Sequence, residues 1–335
     1  MVASTALSAS VRVGLIVDRR SLPLSRTNGH RGRQEGYTRD VPRAEPSPSP
    51  RSRRSSSTID SDALFANPLM ANAFLRWAGS KRQHVPFLRH CWTKGRYSRY
   101  VEPFAGSAAA FFAIAPHEAL LSDINRDLIQ TYRTVRRAPT SVYQHLSSFP
   151  TGKDAYYHVR SMQPRSSVTK AARFIYLNRF CFNGLYRTNM LGHFNVPYGA
   201  PKTPNIPGPG HFVACARLLG RATLMAGDFR TPLEKVKQGD FVYLDPPYAV
   251  SRRRVFIQYA KDHFSTLDLG DLSAWLREID RRKASFVLSY ADSREARSAF
   301  PGWNTRRFAV RRNVAGFSNA RRNHYELFLS NIDTF

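Results

Sequence analysis

The most informative stretch of the chain is Phe241-Val242-Tyr243-Leu244-Asp245-Pro246-Pro247-Tyr248, an apolar run followed by a carboxylate, two prolines and an aromatic residue. A buried strand over 241–244 would place Asp245 at the carboxyl edge of a sheet, where open α/β folds bind ligands. The prolines fix φ and lack N–H groups, so the loop is stiff and its carbonyls can face a substrate. Tyr248 offers a flat face for a nucleobase. This set suits the holding of an exocyclic amine while it reacts; the alternative is a structural Pro-Pro turn with a solvated Asp.

Further apolar runs alternate with helical patterns on both sides of this stretch. Strands are predicted over 100–104, 119–122, 222–225, 241–244 and 285–289, and helices over 107–114, 127–137 and 267–282. This alternation predicts an α/β fold with a doubly wound parallel sheet. Between 138 and 220 the pattern becomes helical and then rich in proline and glycine, which predicts an inserted second domain. We therefore expect a catalytic domain over 71–137 and 221–335, interrupted by a mainly helical insertion over 138–220.

The composition restricts the classes of partner. The 335 residues carry a formal net charge of +27, which favours a polyanionic partner such as nucleic acid. The alternative is a coding bias that raises the arginine content with no ligand implied. No apolar run reaches the length of a membrane span. Cys91, Cys181 and Cys215 lie far apart without CxxC spacing, which disfavours a zinc site or a disulfide framework and fits a reducing compartment.

Residues 1–70 differ from the remainder of the chain. They contain eleven arginines, six acidic residues and a Ser/Pro/Arg-rich stretch at 47–57, without a sustained apolar period. We expect a disordered basic tail or a start codon placed too far upstream. An organelle transit peptide is the alternative, which the acidic residues disfavour.

A second site signal follows the first predicted strand. Gly106 stands where that strand turns into a helix, which would let the backbone approach a ligand beside a helix N-terminus. Asp123 ends the second strand, where a nucleoside-binding sheet places an acid for ribose hydroxyls. The alternative is that Asp123 or Asn125 caps the following helix.

Several motifs occur in one order along the chain. They occupy 74–81, 101–106, 122–125 and 245–248, with LNRFCFNGLYR at 177–187 and GHFNVPYG at 192–199 between the last two. In this order they resemble the Dam family of DNA adenine-N6 methyltransferases, over roughly residues 72–332. The segment 177–199 resembles the target-recognition segment of that family nearly residue for residue. The resemblance implies a Rossmann-like methyltransferase sheet with a target-recognition insertion at 138–220.

The resemblance also implies a cofactor, S-adenosylmethionine, and residues that would hold it. Asp123 would accept from the ribose hydroxyls, Lys81 would pair with the methionine carboxylate, and Trp77 would shape the pocket. The full set of implied cofactor contacts is Trp77, Lys81, Phe104, Gly106, Asp123, Asp228 and Asp245. Two positions depart from the family pattern, since Ala108 and Ser80 stand where glycine is usual, and Ala108 narrows the permitted backbone conformations.

The implied reaction follows from the four residues Asp245-Pro246-Pro247-Tyr248, called the tetrad below. An adenine amino group is a poor nucleophile because its lone pair is delocalised into the ring. Asp245 can accept one N–H and the carbonyl of Pro246 the other, which favours a pyramidal nitrogen. Positioning and electrostatics would supply most of the acceleration, and no metal is needed. The base must leave the duplex, and Tyr248 is placed to stack on it.

The resemblance assigns recognition of the DNA sequence to the insertion at 138–220. Phe182 and Asn183 would occupy or support the gap left by the flipped base, and Arg187 would read a guanine edge. Further candidates for DNA contact are Arg76, Asn178, Arg179 and Pro197, with Asn178 and Arg179 as intradomain supports in the alternative. The arginine groups 252–254, 311–312 and 321–322 are predicted phosphate contacts or, alternatively, a solvated charged face.

We therefore expect a site-specific DNA adenine-N6 methyltransferase acting at GATC or a related site. The alternatives are a DNA cytosine-N4 methyltransferase, which also targets an exocyclic amine, and a non-catalytic DNA-binding relative. Double-stranded DNA is the expected partner, a cognate restriction endonuclease is left open, and the protein is expected to be monomeric, cytoplasmic and nucleoid-associated. Membrane association and organelle targeting are not expected.

Overall fold

A mixed β-sheet forms the centre of the part of the chain that the structure describes. The computed structural model describes residues 71–200, 206–248, 264–310, 324–333 and 335. Within them, seven strands join into one sheet. The strands are β1 (Arg99–Glu102), β2 (Ala119–Asp123), β3 (Ala222–Ala226), β4 (Asp240–Leu244), β5 (Ser285–Ala291), β6 (Asn304–Val310) and β7 (His324–Ser330).

The strand order is β3-β2-β1-β4-β5-β7-β6. The first five positions in this order run parallel, and β7 pairs antiparallel with both β5 and β6. The chain builds outward from β1 to β3 and then returns to place β4 on the other side of β1. This reversal creates a crevice at the carboxyl ends of β1 and β4, the position where doubly wound sheets bind ligands.

Helices cover both faces of the sheet because alternate strand residues point to opposite sides. Tyr100 and Phe241 belong to one buried cluster, whereas their neighbours Val101 and Val242 belong to the other. The first cluster includes residues of α1 (Val85–Lys94), α2 (Ala109–Ile114), α3 (Arg126–Arg137), α4 (Pro139–Ser148), α5 (Lys153–Ser161), α6 (Ser167–Phe180) and α7 (Pro209–Leu219). The second includes α8 (Arg230–Glu234), α9 (Thr266–Arg281) and α10 (Arg294–Ala299). The predicted doubly wound α/β fold is confirmed.

The segment predicted as an inserted domain consists of α4 to α7 and a loop-rich stretch after α6. Tyr156 of α5 and Tyr176 of α6 lie in the same buried cluster as Tyr132 of α3. The segment therefore shares its core with the helices of the sheet, and the target-recognition domain over 138–220 stays a prediction. The tail 1–70 and the arginine groups 252–254, 311–312 and 321–322 lie outside the described residues.

Candidate functional site

A cavity of about 1190 Å³ opens at the carboxyl ends of the parallel strands. Its lining comes from the segments that follow β1, β2, β3 and β4, so distant parts of the sequence meet at the reversal of strand order. The predicted residues that line it are Trp77, Lys81, Phe104, Gly106, Asp123, Asp228, Asp245, Pro246 and Tyr248, together with Asn183. Arg76, Asn178, Arg179, Phe182, Arg187 and Pro197 are not among its lining residues.

The turn after β1 requires a glycine at position 106. Gly106 has a φ of +47°, and a Cβ there would lie 2.8 Å from the Trp77 ring. The Tyr132 hydroxyl of α3 donates to the Gly106 carbonyl at 2.5 Å, which stabilises the turn. Ala108, the departure from the family pattern, also takes a left-handed φ of +52° as the N-cap of α2. The backbone thus demands at position 108 the conformation that glycine adopts without strain.

Asp123 binds the same turn from the neighbouring strand. Its Oδ2 accepts from the Gly106 amide and its Oδ1 from the Asn125 amide, both at 2.9 Å. Burial raises the pKa of Asp123 although these two bonds favour the charged form. Asn125 is the residue that caps α3, through its side chain and the Leu128 amide. Asp123 is therefore not the helix cap, and its remaining lone pairs can accept from a ligand.

Asp245 and Lys81 form a buried ion pair in the lining of the cavity. Lys81 Nζ and Ser289 Oγ each donate to Asp245 Oδ1 at 2.8 Å. The exposed fractions of the two charged side chains are 7% for Lys81 and 19% for Asp245. Burial raises the pKa of Asp245 despite the favourable lysine and serine contacts. Burial alone lowers the pKa of Lys81, but Asp245, Tyr248 and Glu326 outweigh it and raise the pKa.

This pairing bears on the implied role of Lys81. In the structure its contacts are Asp245, the Gly79 carbonyl at 3.0 Å and, further away, Glu326 Oε1 at 3.8 Å. The pairing of Lys81 with a methionine carboxylate stays a prediction. It would require the Lys81 ammonium group to bind that carboxylate in addition to Asp245 or in its place.

Three phenylalanines line another part of the cavity. The Phe104 and Phe229 rings stack with centroids 5.2 Å apart, and the Phe264 ring packs edge-on against Phe104 at 6.0 Å. Asp228 precedes this cluster, and Arg230 binds Asp228 and Asp268 at the rim. These apolar rings and the Asp123 carboxylate line the same cavity, a combination of apolar surface and polar group typical of small-molecule sites.

Two predicted DNA contacts serve inside the protein. The Asn178 side chain is 2% exposed; its Oδ1 accepts from the Arg76 amide at 2.8 Å and its Nδ2 donates to the Arg76 carbonyl. Arg179 donates to the Phe74 carbonyl at 3.1 Å, and burial lowers the pKa of Arg179 to about 10. These contacts support the alternative that Asn178 and Arg179 are intradomain supports, and their contact with DNA stays a prediction.

The other recognition candidates are exposed. Phe182 is 41% exposed, and its amide donates to the Pro197 carbonyl at 3.0 Å. Asn183 has a φ of +53° and reaches the cavity. Arg187 Nε donates to Asn195 Oδ1 at 2.8 Å, which leaves both terminal guanidinium nitrogens for a ligand as far as the described residues show. The segment therefore presents an aromatic ring, an amide and an arginine on the surface, and of these Asn183 also lines the cavity.

The sequence analysis missed residues of the cavity, among them Glu102 and Glu326, and also Ser289, a buried residue that contacts the lining residue Asp245. Glu326 lies on β7 and Glu102 ends β1, and burial raises the pKa of Glu102 well above its usual range. Ser289 on β5 binds Asp245. Glu326 had a visible signal, since it is a lone charge within the run Tyr325-Glu326-Leu327-Phe328-Leu329. Ser289 had none, because its partner lies 44 residues away.

The described residues hold no group of three or more histidine, cysteine or acidic side chains that could bind a metal ion. None of their helices combines the length and apolar character that a membrane crossing requires. The described cysteines are free and buried.

A sheet of this strand order with its cavity at the reversal defines an α/β enzyme with a Rossmann-like methyltransferase fold. The sequence model of the D12 class N6 adenine-specific DNA methyltransferases matches residues 77–313. The chain belongs to this family and is an adenine-specific DNA methyltransferase.

Curated relatives match over most of their length. The type II methyltransferase M1.LlaDCHI of Lactococcus lactis subsp. cremoris is 31% identical over 80% of this chain and 98% of its own. The type II methyltransferase M.MjaIII of Methanocaldococcus jannaschii is 32% identical, covering 77% of this chain and 98% of its own. The Retron Ec67 DNA adenine methylase of Escherichia coli is 32% identical, covering 72% and 85%.

Proposed function

We propose that this chain transfers a methyl group from S-adenosylmethionine to N6 of an adenine flipped out of duplex DNA, at GATC or a related site. One observation carries the proposal: the Asp245 carboxylate and the Gly106–Asp123 turn line a single cavity. An acceptor for an exocyclic amine and a holder for a nucleoside therefore open into the same space.

The cavity suits this cofactor. The Phe104, Phe229 and Phe264 rings would bind its base, and Asp123 would accept from its ribose hydroxyls. When bound there, the cofactor supplies a sulfonium methyl group that a nitrogen lone pair can attack. Gly106 allows close approach because any side chain at that position would meet Trp77.

Asp245 and Pro246 would orient the target amine. Among the described residues, Lys81 and Ser289 both bind Asp245 through one oxygen, Oδ1, so Oδ2 would accept a hydrogen bond from one amino N–H. Pro246 is buried within the lining, and its carbonyl would accept a hydrogen bond from the second N–H. Tyr248 would stack on the base. Preorganised acceptors of this kind act without reorganisation during the reaction.

Recognition of the duplex would fall to the exposed segment around Arg187. A guanine edge offers two acceptors in the major groove, and the terminal guanidinium nitrogens of Arg187 suit them. Phe182 and Asn183 would occupy the gap left by the flipped base. The preference for GATC rests on the resemblance of 177–199 to the Dam recognition segment, and a cognate endonuclease and a monomeric state stay predictions.

The test is methyl transfer from labelled S-adenosylmethionine to duplexes with and without GATC, comparing the wild type with Asp245→Ala. Asp333→Ala is the matched control, because Asp333 is exposed and follows the end of β7 away from the cavity. We expect N6-methyladenine with the wild type and the control, and none with Asp245→Ala. N4-methylcytosine in the digested product would favour the cytosine alternative, and DNA binding without any transfer would favour a non-catalytic relative.

A further inference from the structure

Glu326 is a buried carboxylate of the cavity that the proposed reaction leaves without a role. It lies on β7 and is 4% exposed. Its Oε1 accepts from the Tyr248 hydroxyl at 3.1 Å and lies 3.8 Å from Lys81 Nζ. Its Oε2 lies 3.4 Å from His84 Nε2, close enough for an electrostatic contact but without hydrogen-bond geometry among the described residues. A carboxylate is costly to bury unless charged or donating groups surround it, as they do here.

Glu326 and Lys81 together contact the side chains at both ends of the tetrad. Lys81 binds Asp245 at one end of the tetrad and approaches Glu326, and Glu326 binds the Tyr248 hydroxyl at the other end. Lys81 Nζ also lies 6.0 Å from the centre of the Tyr248 ring. The two prolines between Asp245 and Tyr248 stiffen the backbone, so the side chains at the two ends are the parts left to be oriented.

We propose that Glu326 is a positioning residue that fixes the Tyr248 ring for stacking on the target base. This inference rests on the proposed function. The Tyr248 ring packs edge-on against Tyr290 with centroids 5.2 Å apart, and the bond from its hydroxyl to Glu326 fixes the outer end of the ring, which lowers the cost of ordering it when the base binds. With this bond, the ring is oriented before the base arrives.

The charge state of Glu326 suits this role. Burial alone raises the pKa of Glu326, but His84, Lys81 and Tyr248 outweigh it and lower the pKa. The carboxylate is therefore ionised at neutral pH and can only accept, which fixes the direction of the bond from the Tyr248 hydroxyl. A hydrogen bond to a charged acceptor is stronger than a neutral one.

The experiment compares Tyr248→Phe, Glu326→Ala, Glu326→Gln and the double variant Tyr248→Phe/Glu326→Ala with the wild type. Glu118→Gln is the matched control, because Glu118 is exposed before β2 at the opposite end of the sheet. Two quantities are measured: kcat/KM for the duplex, and the fluorescence of 2-aminopurine at the target position, which rises when the base loses a stacking partner.

We expect Tyr248→Phe and Glu326→Ala each to lower kcat/KM about tenfold, since each removes one charge-assisted hydrogen bond. Because both act on the same ring, the double variant should be no worse than the more impaired single variant. The bound 2-aminopurine should be brighter in all four variants than in the wild type, and least so in Glu326→Gln. Glu326→Gln retains a weaker acceptor and should fall between wild type and Glu326→Ala, which keeps the test valid if the alanine variant does not fold.

Additive losses in the double variant, or a wild-type fluorescence signal in Glu326→Ala and Glu326→Gln, would overturn the positioning role. A purely structural Glu326 would lower stability without changing the stacking signal. Absence of methyl transfer to adenine by the wild type would instead refute the proposed function, and the positioning role with it.

Discussion

The ion pair between Lys81 and Asp245 makes a quantitative prediction for Asp245→Asn. This substitution keeps the shape of the side chain but leaves the Lys81 ammonium group, 7% exposed, without its main partner at 2.8 Å. Removing one member of a buried pair costs about 3–5 kcal/mol. Glu326 stays 3.8 Å from Nζ and compensates part of the charge. We therefore expect the free energy of unfolding to fall by about 3 kcal/mol, at the low end of that range, with loss of methyl transfer.

The cause of the lower stability can be tested separately from the loss of methyl transfer. In Asp245→Asn, burial should lower the pKa of Lys81 below its ordinary value of 10.5. Between these two pKa values the unfolded chain binds more protons than the folded chain, so stability should rise with pH. The double variant Lys81→Met/Asp245→Asn removes the unpaired charge and should recover about 2 kcal/mol while staying inactive.

Urea unfolding at pH 7 and pH 9 measures both effects through the transition midpoint at a common m-value. The difference between Asp245→Asn and the wild type should narrow at pH 9, and the double variant should lie between them at pH 7. A double variant as unstable as Asp245→Asn would show that the unpaired lysine is not the cause. Full stability of Asp245→Asn would refute the buried ion pair as described.

Three further predictions concern the backbone, the pH dependence and the specificity. Ala108→Gly should change the free energy of unfolding by less than about 1 kcal/mol, because relief of the left-handed φ offsets the added entropy of the unfolded chain. Ala110→Gly, inside α2, should lower it by about 1–2 kcal/mol, and urea unfolding measures both. The rate of methyl transfer should fall as the pH drops through the pKa of Asp245, which burial raises above 3.8. Ser289→Ala should move this acidic limb of the pH profile to higher pH, because it removes a hydrogen bond that favours the carboxylate. Measurement of kcat against pH tests both, and an acidic limb that Ser289→Ala leaves unchanged would contradict the assignment. Arg187→Ala should reduce discrimination against a substituted guanine by about 1–3 kcal/mol, measured as a ratio of kcat/KM values for two duplexes; an unchanged ratio would exclude guanine readout by this residue.

Much of the sheet could be predicted from local sequence, because buried parallel strands are short apolar runs between helical patterns. The runs that became β2, β3, β4 and β5 were all found, with ends differing by one or two residues. The last two strands were not. β6 contains Asn304, Arg306 and Arg307 and forms an edge, so its sequence carries little apolar signal. It is a strand because it pairs with β7, a contact that the sequence of β6 alone does not reveal.

The candidate site was predicted in part for a similar reason. Motif residues such as Gly106, Asp123 and Asp245 stand at strand ends, where position in the chain implies position in the fold. The partners of these residues could not be inferred in this way. Lys81, whose contact with a ligand stays a prediction, binds Asp245, a residue 164 positions away. Local spacing identifies which side chains reach the cavity, but long-range packing determines which of them touch.

The contact between Arg76 and Asn178 has a consequence for protein engineering. The Arg76 backbone is held at both its amide and its carbonyl by Asn178, and a Cβ at Gly184 would lie 3.0 Å from the Arg76 side chain. The segment that follows Asn178 is thus seated on the residue directly before Trp77. Because these contacts involve the Arg76 backbone and Cβ, a hybrid enzyme that takes residues 178–199 from a relative has to keep an asparagine at 178 and a glycine at 184. The join between the two segments therefore depends on two positions, 178 and 184, and tolerates a change of side chain at 76.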